Sequence, residues 1–169
     1  SRKLLKNKNI SHGFFNKNGG KSKGIYKSLN CGLGSHDNKN NILKNLKIVK
    51  DKIGKKTKNI YLVHQVHSNK LVFLNENSKL KKKIKADAII TNQKKLPIAV
   101  LTADCVPVLL YDYEKKIIAA IHAGWKGAYR GIIRNVINFM RKKGCNPKNI
   151  IGAIGPSITQ KNYEVKACL

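Results

Sequence analysis

The chain has 169 residues, 41% of them hydrophobic and 7% aromatic, which suits one domain, residues 1–169, with a sizeable core. Its charge is extreme, with 35 Lys and Arg against 8 Asp and Glu and a formal net charge of +27. No apolar run is long enough to span a bilayer, and no basic segment followed by a continuous apolar one opens the chain, so no membrane partner and no secretory signal are expected.

The basic residues are nearly all Lys, and Asn and Ile are also abundant. That combination is what an AT-rich coding bias produces. Nucleic-acid readers lean on Arg and interleaved aromatics, so no specific nucleic acid is expected. Salt-sensitive attachment to polyanions is still expected at this charge. The four cysteines, Cys31, Cys105, Cys145 and Cys168, are widely spaced with no CxxC pair. A disulfide framework is therefore not expected, and a reducing, cytoplasmic setting is.

In chain order, HGFF near residue 12 reads as a short strand. It opens a stretch, residues 11–36, crowded with Gly, Asn and Ser, as in tight turns and close backbone approaches. Read functionally, its NH groups with Lys17, Lys21 and Asn30 would face an anion; read plainly, it is a loop. Residues 37–54 carry Ile42, Leu43, Leu46, Val49 and Ile53 at helical spacing. Asp37 is the expected N-cap and Gly54 the expected C′ residue.

Residues 59–76 read as strand, polar turn, strand. His64 and His67 are three apart, so one regular strand would point them to opposite faces. Only His67, at a strand end, need enter a site; His64 reads as packed or at the surface. KLKKKIK at 79–85 is a solvated loop rim, and ADAIITN at 86–92 a short buried strand. Asp87 at its start reads as structural, through local hydrogen bonds, or as a pocket residue.

Residues 96–134 hold two apolar runs split by YDYEKK, which predict two core strands. Asp104-Cys105 interrupts the first and His122 sits in the second, before Gly124-Trp125. Burying a carboxylate or an imidazole costs several kcal/mol, roughly, unless it is paired or bound to metal. GWKG then reads as a strand-to-helix turn of the kind that favours anions. Residues 132–143 predict an amphipathic helix stopped by Gly144. IIGAIGPSI at 150–158 predicts a further buried strand.

His67, Cys105 and His122 suit one metal, since imidazole and thiolate are zinc ligands and three protein ligands leave a position open for catalysis. The same residues permit a Cys105 nucleophile with His122 or His67 as base, the arrangement of a hydrolase. A buried packing cysteine is the third reading.

Several motifs together resemble the YfiH family, also called the multicopper polyphenol oxidase (laccase-like) or purine nucleoside phosphorylase family. They are HGFFNKNGG and SLNCG near the start, QVHS at 65–68, ADAIITN at 86–92, TADCVPVLLYD at 102–112, AAIHAGWKG at 119–127 and AIGPSITQKNYEV at 153–165. The resemblance runs nearly the whole length in the same order.

It implies an α+β fold with mixed sheets packed with helices. It also implies a mononuclear centre, zinc with copper as the alternative, ligated by His67, Cys105 and His122, of which Cys105 and His122 carry the catalysis. The implied substrates are purine nucleosides and phosphate. Adenosine, inosine and S-methyl-5′-thioadenosine are cleaved to base and sugar 1-phosphate, with adenosine deamination by activated water as a second reaction. Lys17 and Lys126 stand where the family commonly has Arg, and Asn30 lies in its SLN motif; these would bind phosphate. Trp125 would pack on a purine ring or in the core.

Laccase-type oxidation ranks lower, because a single His2Cys site lacks the several coppers such an oxidase needs. Family members continue past YEV with an arginine-containing motif, and Ser157 replaces a common Cys. The chain is therefore expected to lack the family's C-terminal segment. An inactive remnant and a polyanion-binding protein remain as further readings, and Asp104 has no assigned role.

Overall fold

The two apolar runs around the YDYEKK turn pair with each other, residues 106–112 against 117–123, with Lys116 turning the chain at φ 55. The structure, a computed structural model, describes residues 2–78 and 84–164. In chain order the elements are α1 (Arg2–Leu5), α2 (Lys39–Ile53), β1 (Leu71–Leu74), β2 (Ala88–Thr91), β3 (Val106–Asp112), β4 (Ile117–Ala123), α3 (Trp125–Tyr129), α4 (Ile132–Lys142) and β5 (Ile150–Ile154). The strands form one sheet in the order β1-β2-β4-β3-β5. β1 and β2 are parallel and the other neighbours antiparallel, so the sheet is mixed and the fold is α+β.

The core follows from the strand pattern. Ile90, Val108, Leu110 and Ile121 project from one face and meet Ile132, Val136 and Met140, the apolar stripe of α4. The opposite face packs in two patches: Tyr61, Leu74, Ile89 and Leu96 form one, and Leu4, Tyr111 and Ala153 the other. All four residues of β2 are buried, as ADAIITN predicts. Among the described residues, no helix is long and apolar enough to cross a membrane.

Several local expectations are corrected. The first run is a strand only from Val106 onward. Its earlier half runs beside residues 61–65 through Ala99 N to Tyr61 O and Tyr61 N to Pro97 O, and the polar TADC segment then bends the chain. Of the strand pair expected at 59–76, only Leu71–Leu74 joins the sheet; residues 61 and 64 form isolated bridges. HGFF is not a strand, and β5 stops at Ile154, before Gly155. Asn38, not Asp37, caps α2, accepting from Asn40 N and Asn41 N. Asp37 instead accepts from the Ser22 hydroxyl and the Asn30 amide. Gly54 is the C-cap in an extended conformation rather than a left-handed C′ residue. Part of the lysine-rich run at 79–85, and Cys168, lie outside the described residues.

The Gly-rich loop is organised by a buried side chain from α2. Asn45 is 0% exposed. Its Nδ2 donates to Ser22 Oγ, Ser28 O and Asn30 O, and its Oδ1 accepts from Lys21 N. Buried backbone groups need such partners.

Candidate metal centre

Cys105 immediately precedes β3, and His122 lies one residue from the end of β4. The antiparallel register, Val106 opposite Ala123 and Pro107 opposite His122, brings the two to the same end of the sheet. His67 arrives from the turn between residues 65 and 70, with φ 56. A left-handed conformation costs a residue other than glycine about 1–2 kcal/mol, so something must hold it.

Asp87 does so. Its carboxylate accepts from Val66 N, from His67 N at 2.9 Å, from Ser68 N at 2.6 Å and from Ser68 Oγ at 2.7 Å. Its Oδ1 also lies 2.9 Å from His122 Nδ1, and its main-chain oxygen accepts from His122 N at 2.8 Å. Asp87 is fully buried at the mouth of β2. Burial alone would raise its pKa, but the hydrogen bonds from His122, Ser68 and Val66 outweigh that and hold it below the usual carboxylate range. One ionised side chain therefore sets the His67 turn and fixes the His122 ring, leaving His122 Nε2 as the other ring nitrogen.

The candidate ligand atoms of His67, Cys105 and His122 lie within 4.8 Å of one another. Cys105 Sγ is 3.8 Å from His67 Nε2, and the two imidazole centroids are 4.7 Å apart at 79°. Zinc bonds of roughly 2.3 Å to sulfur and 2.0–2.1 Å to nitrogen put tetrahedral ligand atoms about 3.3–3.7 Å apart. The group therefore fits one metal after a contraction of at most about 1.5 Å. A carboxylate on the far nitrogen of a ligating histidine is the usual support for such a site. Gly124 makes the approach possible. A Cβ there would stand 2.7 Å from His67 Cδ2 and 3.0 Å from Cys105 Sγ. The glycine of HAGW is thus required by the site's packing.

Burial first, then the charges of Asp104 and Asp87, push the Cys105 thiol above its ordinary pKa. A free nucleophilic cysteine needs the opposite shift, whereas a bound cation supplies it. This weighs against the Cys105 hydrolase reading.

A cavity of about 560 Å3 opens over the group, within the usual range of small-molecule sites. Its wall includes His67, Cys105, His122, Asp104, Ile158 and Tyr163. Lys17, Asn30 and Lys126 are not in that wall. The Lys17 carbonyl accepts from Ser28 N and Leu29 N, and the Asn30 side chain is engaged by Ser35, Asp37 and Gly32 N. The Lys126 ammonium lies 5.4 Å from the Trp125 ring centroid, and Trp125 is 46% exposed rather than packed in the core. His64 is exposed and stands outside the ligand group.

The sequence signal for Asp87 was present, a carboxylate at the entry of an apolar strand, but its partners are 19 to 35 residues away. Gln65, braced against Leu101 by two hydrogen bonds, had no sequence signal beyond lying in QVHS.

A family model described as multi-copper polyphenol oxidoreductase laccase matches residues 11–169. The chain belongs to this family. It is 35% identical over 167 residues to a purine nucleoside phosphorylase, YlmD, of Bacillus subtilis (strain 168), covering 94% of this chain and 60% of the relative. It is 41% identical over 143 residues to a purine nucleoside phosphorylase of Rickettsia conorii, covering 82% of this chain and 58% of that protein. The crystal structure of Bacillus licheniformis YfiH superposes with a TM-score of 0.80 at 32% identity, covering 87% of this chain and 58% of that one. The chain thus spans about 60% of the length of the first of these curated relatives. The family resemblance read from TADC and HAGW holds.

Proposed function

We propose that this chain carries the metal-binding part of a zinc-dependent purine nucleoside phosphorylase acting in the cytoplasm. The observation that carries the reading is the His67–Cys105–His122 group at the base of a ligand-sized cavity, in a chain whose curated relatives bear the phosphorylase name. The substrates are adenosine, inosine and S-methyl-5′-thioadenosine with inorganic phosphate, and adenosine deamination is a second reaction.

In phosphorolysis a phosphate oxygen bonds to C1′ of the sugar. The C1′–N9 bond breaks, its electron pair goes to the purine, and the base leaves after taking up a proton. Cys105 as thiolate, His67 and His122 would hold the metal, which when bound supplies Lewis-acid polarisation of a ligand atom. Asp87 keeps His122 in one tautomer, with Nδ1 protonated toward the carboxylate. Asp87 also holds the His67 turn against its left-handed strain. The cavity wall orders the nucleoside over the group and limits water around it. Lys17, Asn30 and Lys126 stand away from this wall, so the reading does not rest on them.

The family description also names copper oxidation of phenols. Reduction of dioxygen to water takes four electrons, and one three-ligand group among the described residues offers a single metal position. The phosphorylase reading is therefore preferred.

The test is incubation of zinc-loaded protein with inosine and phosphate. Hypoxanthine should form, with one zinc per chain by elemental mass spectrometry. Zinc and product should both disappear in Cys105→Ala and His122→Ala. Full activity in excess chelator, or no product from a folded, zinc-loaded sample, would sink the proposal.

A further inference from the structure

The cavity reverses the sign of the protein around it. Of 8 Asp and Glu in the whole chain, two, Asp104 and Glu164, stand in its wall. A third, Asp87, lies directly behind His122. Among the described residues, no Lys or Arg lines it. In a chain of net charge +27, chance placement would put cations there first.

Asp104 is also held in place. Gln65 exchanges two hydrogen bonds with Leu101, at 2.7 and 2.8 Å, fixing the segment on one side. Ile158 N donates to Asp104 O at 3.0 Å, tying the opposite cavity wall to it. Cys105 follows directly, and β3 begins at the next residue, Val106. Among the described residues, the Asp104 carboxylate has no hydrogen-bond or ion-pair partner, although its backbone is fixed.

An ionised carboxylate accepts hydrogen bonds and donates none. It therefore matches a ligand edge that presents N–H groups, and it repels phosphate, which is anionic and rich in acceptors. Of the two substrates of a phosphorylase, the nucleoside carries the neutral donors: the N–H edge of its base, which is the 6-amino group of adenine or the N1–H of hypoxanthine, and the ribose hydroxyls, from which free bases lacking the sugar separate it.

We infer that Asp104 is a specificity residue that recognises the N–H donor edge of the purine, in a cavity end kept anion-free by Asp104 and Glu164. This rests on the phosphorylase reading above for its substrate class. It divides the site in two: the base lies toward Asp104 and Tyr163, and phosphate enters from a direction the described cavity wall does not supply. A site built to hydrogen-bond an N–H group discriminates strongly against an analogue lacking it, because the acceptor is left unpaired.

The experiment uses the zinc-loaded full chain and two free bases, adenine and 6-dimethylaminopurine, which lacks the N–H donors of the amino group. Binding is measured by calorimetry, and turnover of adenosine and N6,N6-dimethyladenosine with phosphate is measured alongside. Wild type should prefer adenine by about 10- to 100-fold. Asp104→Ala should bring the two bases to near parity, and Asp104→Glu should restore part of the preference. Zinc content and thermal unfolding are measured on each variant. If Asp104→Ala loses zinc, Asp104→Leu, similar in size but with no acceptor, replaces it, with the same collapse of preference expected.

Wild-type discrimination kept in a zinc-loaded Asp104 variant would overturn the inference, as would a wild type that binds both bases equally. Discriminating binding without phosphorolysis would refute the phosphorylase reading and support base recognition. Turnover without discrimination would do the reverse. No purine binding at all would overturn both.

Discussion

Replacing Asp87 by Ala tests the idea that one buried carboxylate builds the metal centre. The side chain accepts from Val66 N, His67 N, Ser68 N, Ser68 Oγ and His122 Nδ1. Truncation leaves these donors without their partner beside a buried imidazole that is 3% exposed. Each buried donor left unsatisfied costs about 1–3 kcal/mol, and truncation orphans several, so a loss of roughly 3–5 kcal/mol is expected. Set against a typical total of about 5–15 kcal/mol, that is a large fraction of the stability. For a chain of this length each kcal/mol shifts the melting temperature by about 2–4 °C, so a fall of roughly 6–20 °C is expected in metal-free protein.

The second effect is on the metal. His67 would leave its left-handed turn and His122 would lose its tautomer restraint, and losing such an outer partner lowers metal affinity about 10- to 100-fold. Asp87→Asn keeps the shape but turns an amide donor toward donors, so it should fold better than the Ala variant and still bind metal weakly. The assay is thermal unfolding by circular dichroism with and without zinc, with competition for zinc by a chromophoric chelator. An Asp87→Ala protein with wild-type melting and wild-type zinc affinity would refute the reasoning.

Two other outcomes are expected. Gly124→Ala should depress zinc affinity more than stability, because its new Cβ meets His67 and Cys105 rather than the apolar core; equal zinc affinity in chelator competition would contradict this. Cys145, 5% exposed and with its pKa raised to about 11 by burial first and then by Asp112, should resist alkylation at pH 8 by mass spectrometry, while Cys31 and Cys105, both partly exposed, label first. Because its folded pKa lies above the ordinary value of 9.0, the stability linked to the neutral thiol is complete below about pH 9 and is lost as the pH rises from there toward 11. Cys145→Ala should flatten that alkaline loss, and an unchanged slope would count against it.

Periodicity was enough for α2 and α4, since each buries one apolar stripe and its residues are near in sequence. It was enough for the β3–β4 hairpin for the same reason. It failed where composition and context disagree. Residues 96–105 are apolar enough for a strand, but part of that run is drawn off to pair with residues 61–65, and TADC bends away to form the cavity wall. The cap of α2 moved by one residue because Asp37 has stronger partners in Ser22 and Asn30.

The sequence by itself determined that His67, Cys105 and His122 are chemically out of place among apolar neighbours, and its TADC and HAGW motifs determined the family. Only the tertiary structure decided what supports them. The contacts joining Asp87 to His122 and His67 to Cys105 span 35 and 38 residues. No local pattern encodes which of several possible partners a buried carboxylate meets at that range. The same holds for Gly124, which looks like a turn glycine until two ligand side chains are seen to occupy the place of its Cβ. It holds for Asp104, whose meaning comes from the absence of cations around it in the described cavity wall. Apolar periodicity is a property of neighbours in the chain; the shape and sign of a cavity arise from segments that only folding brings together.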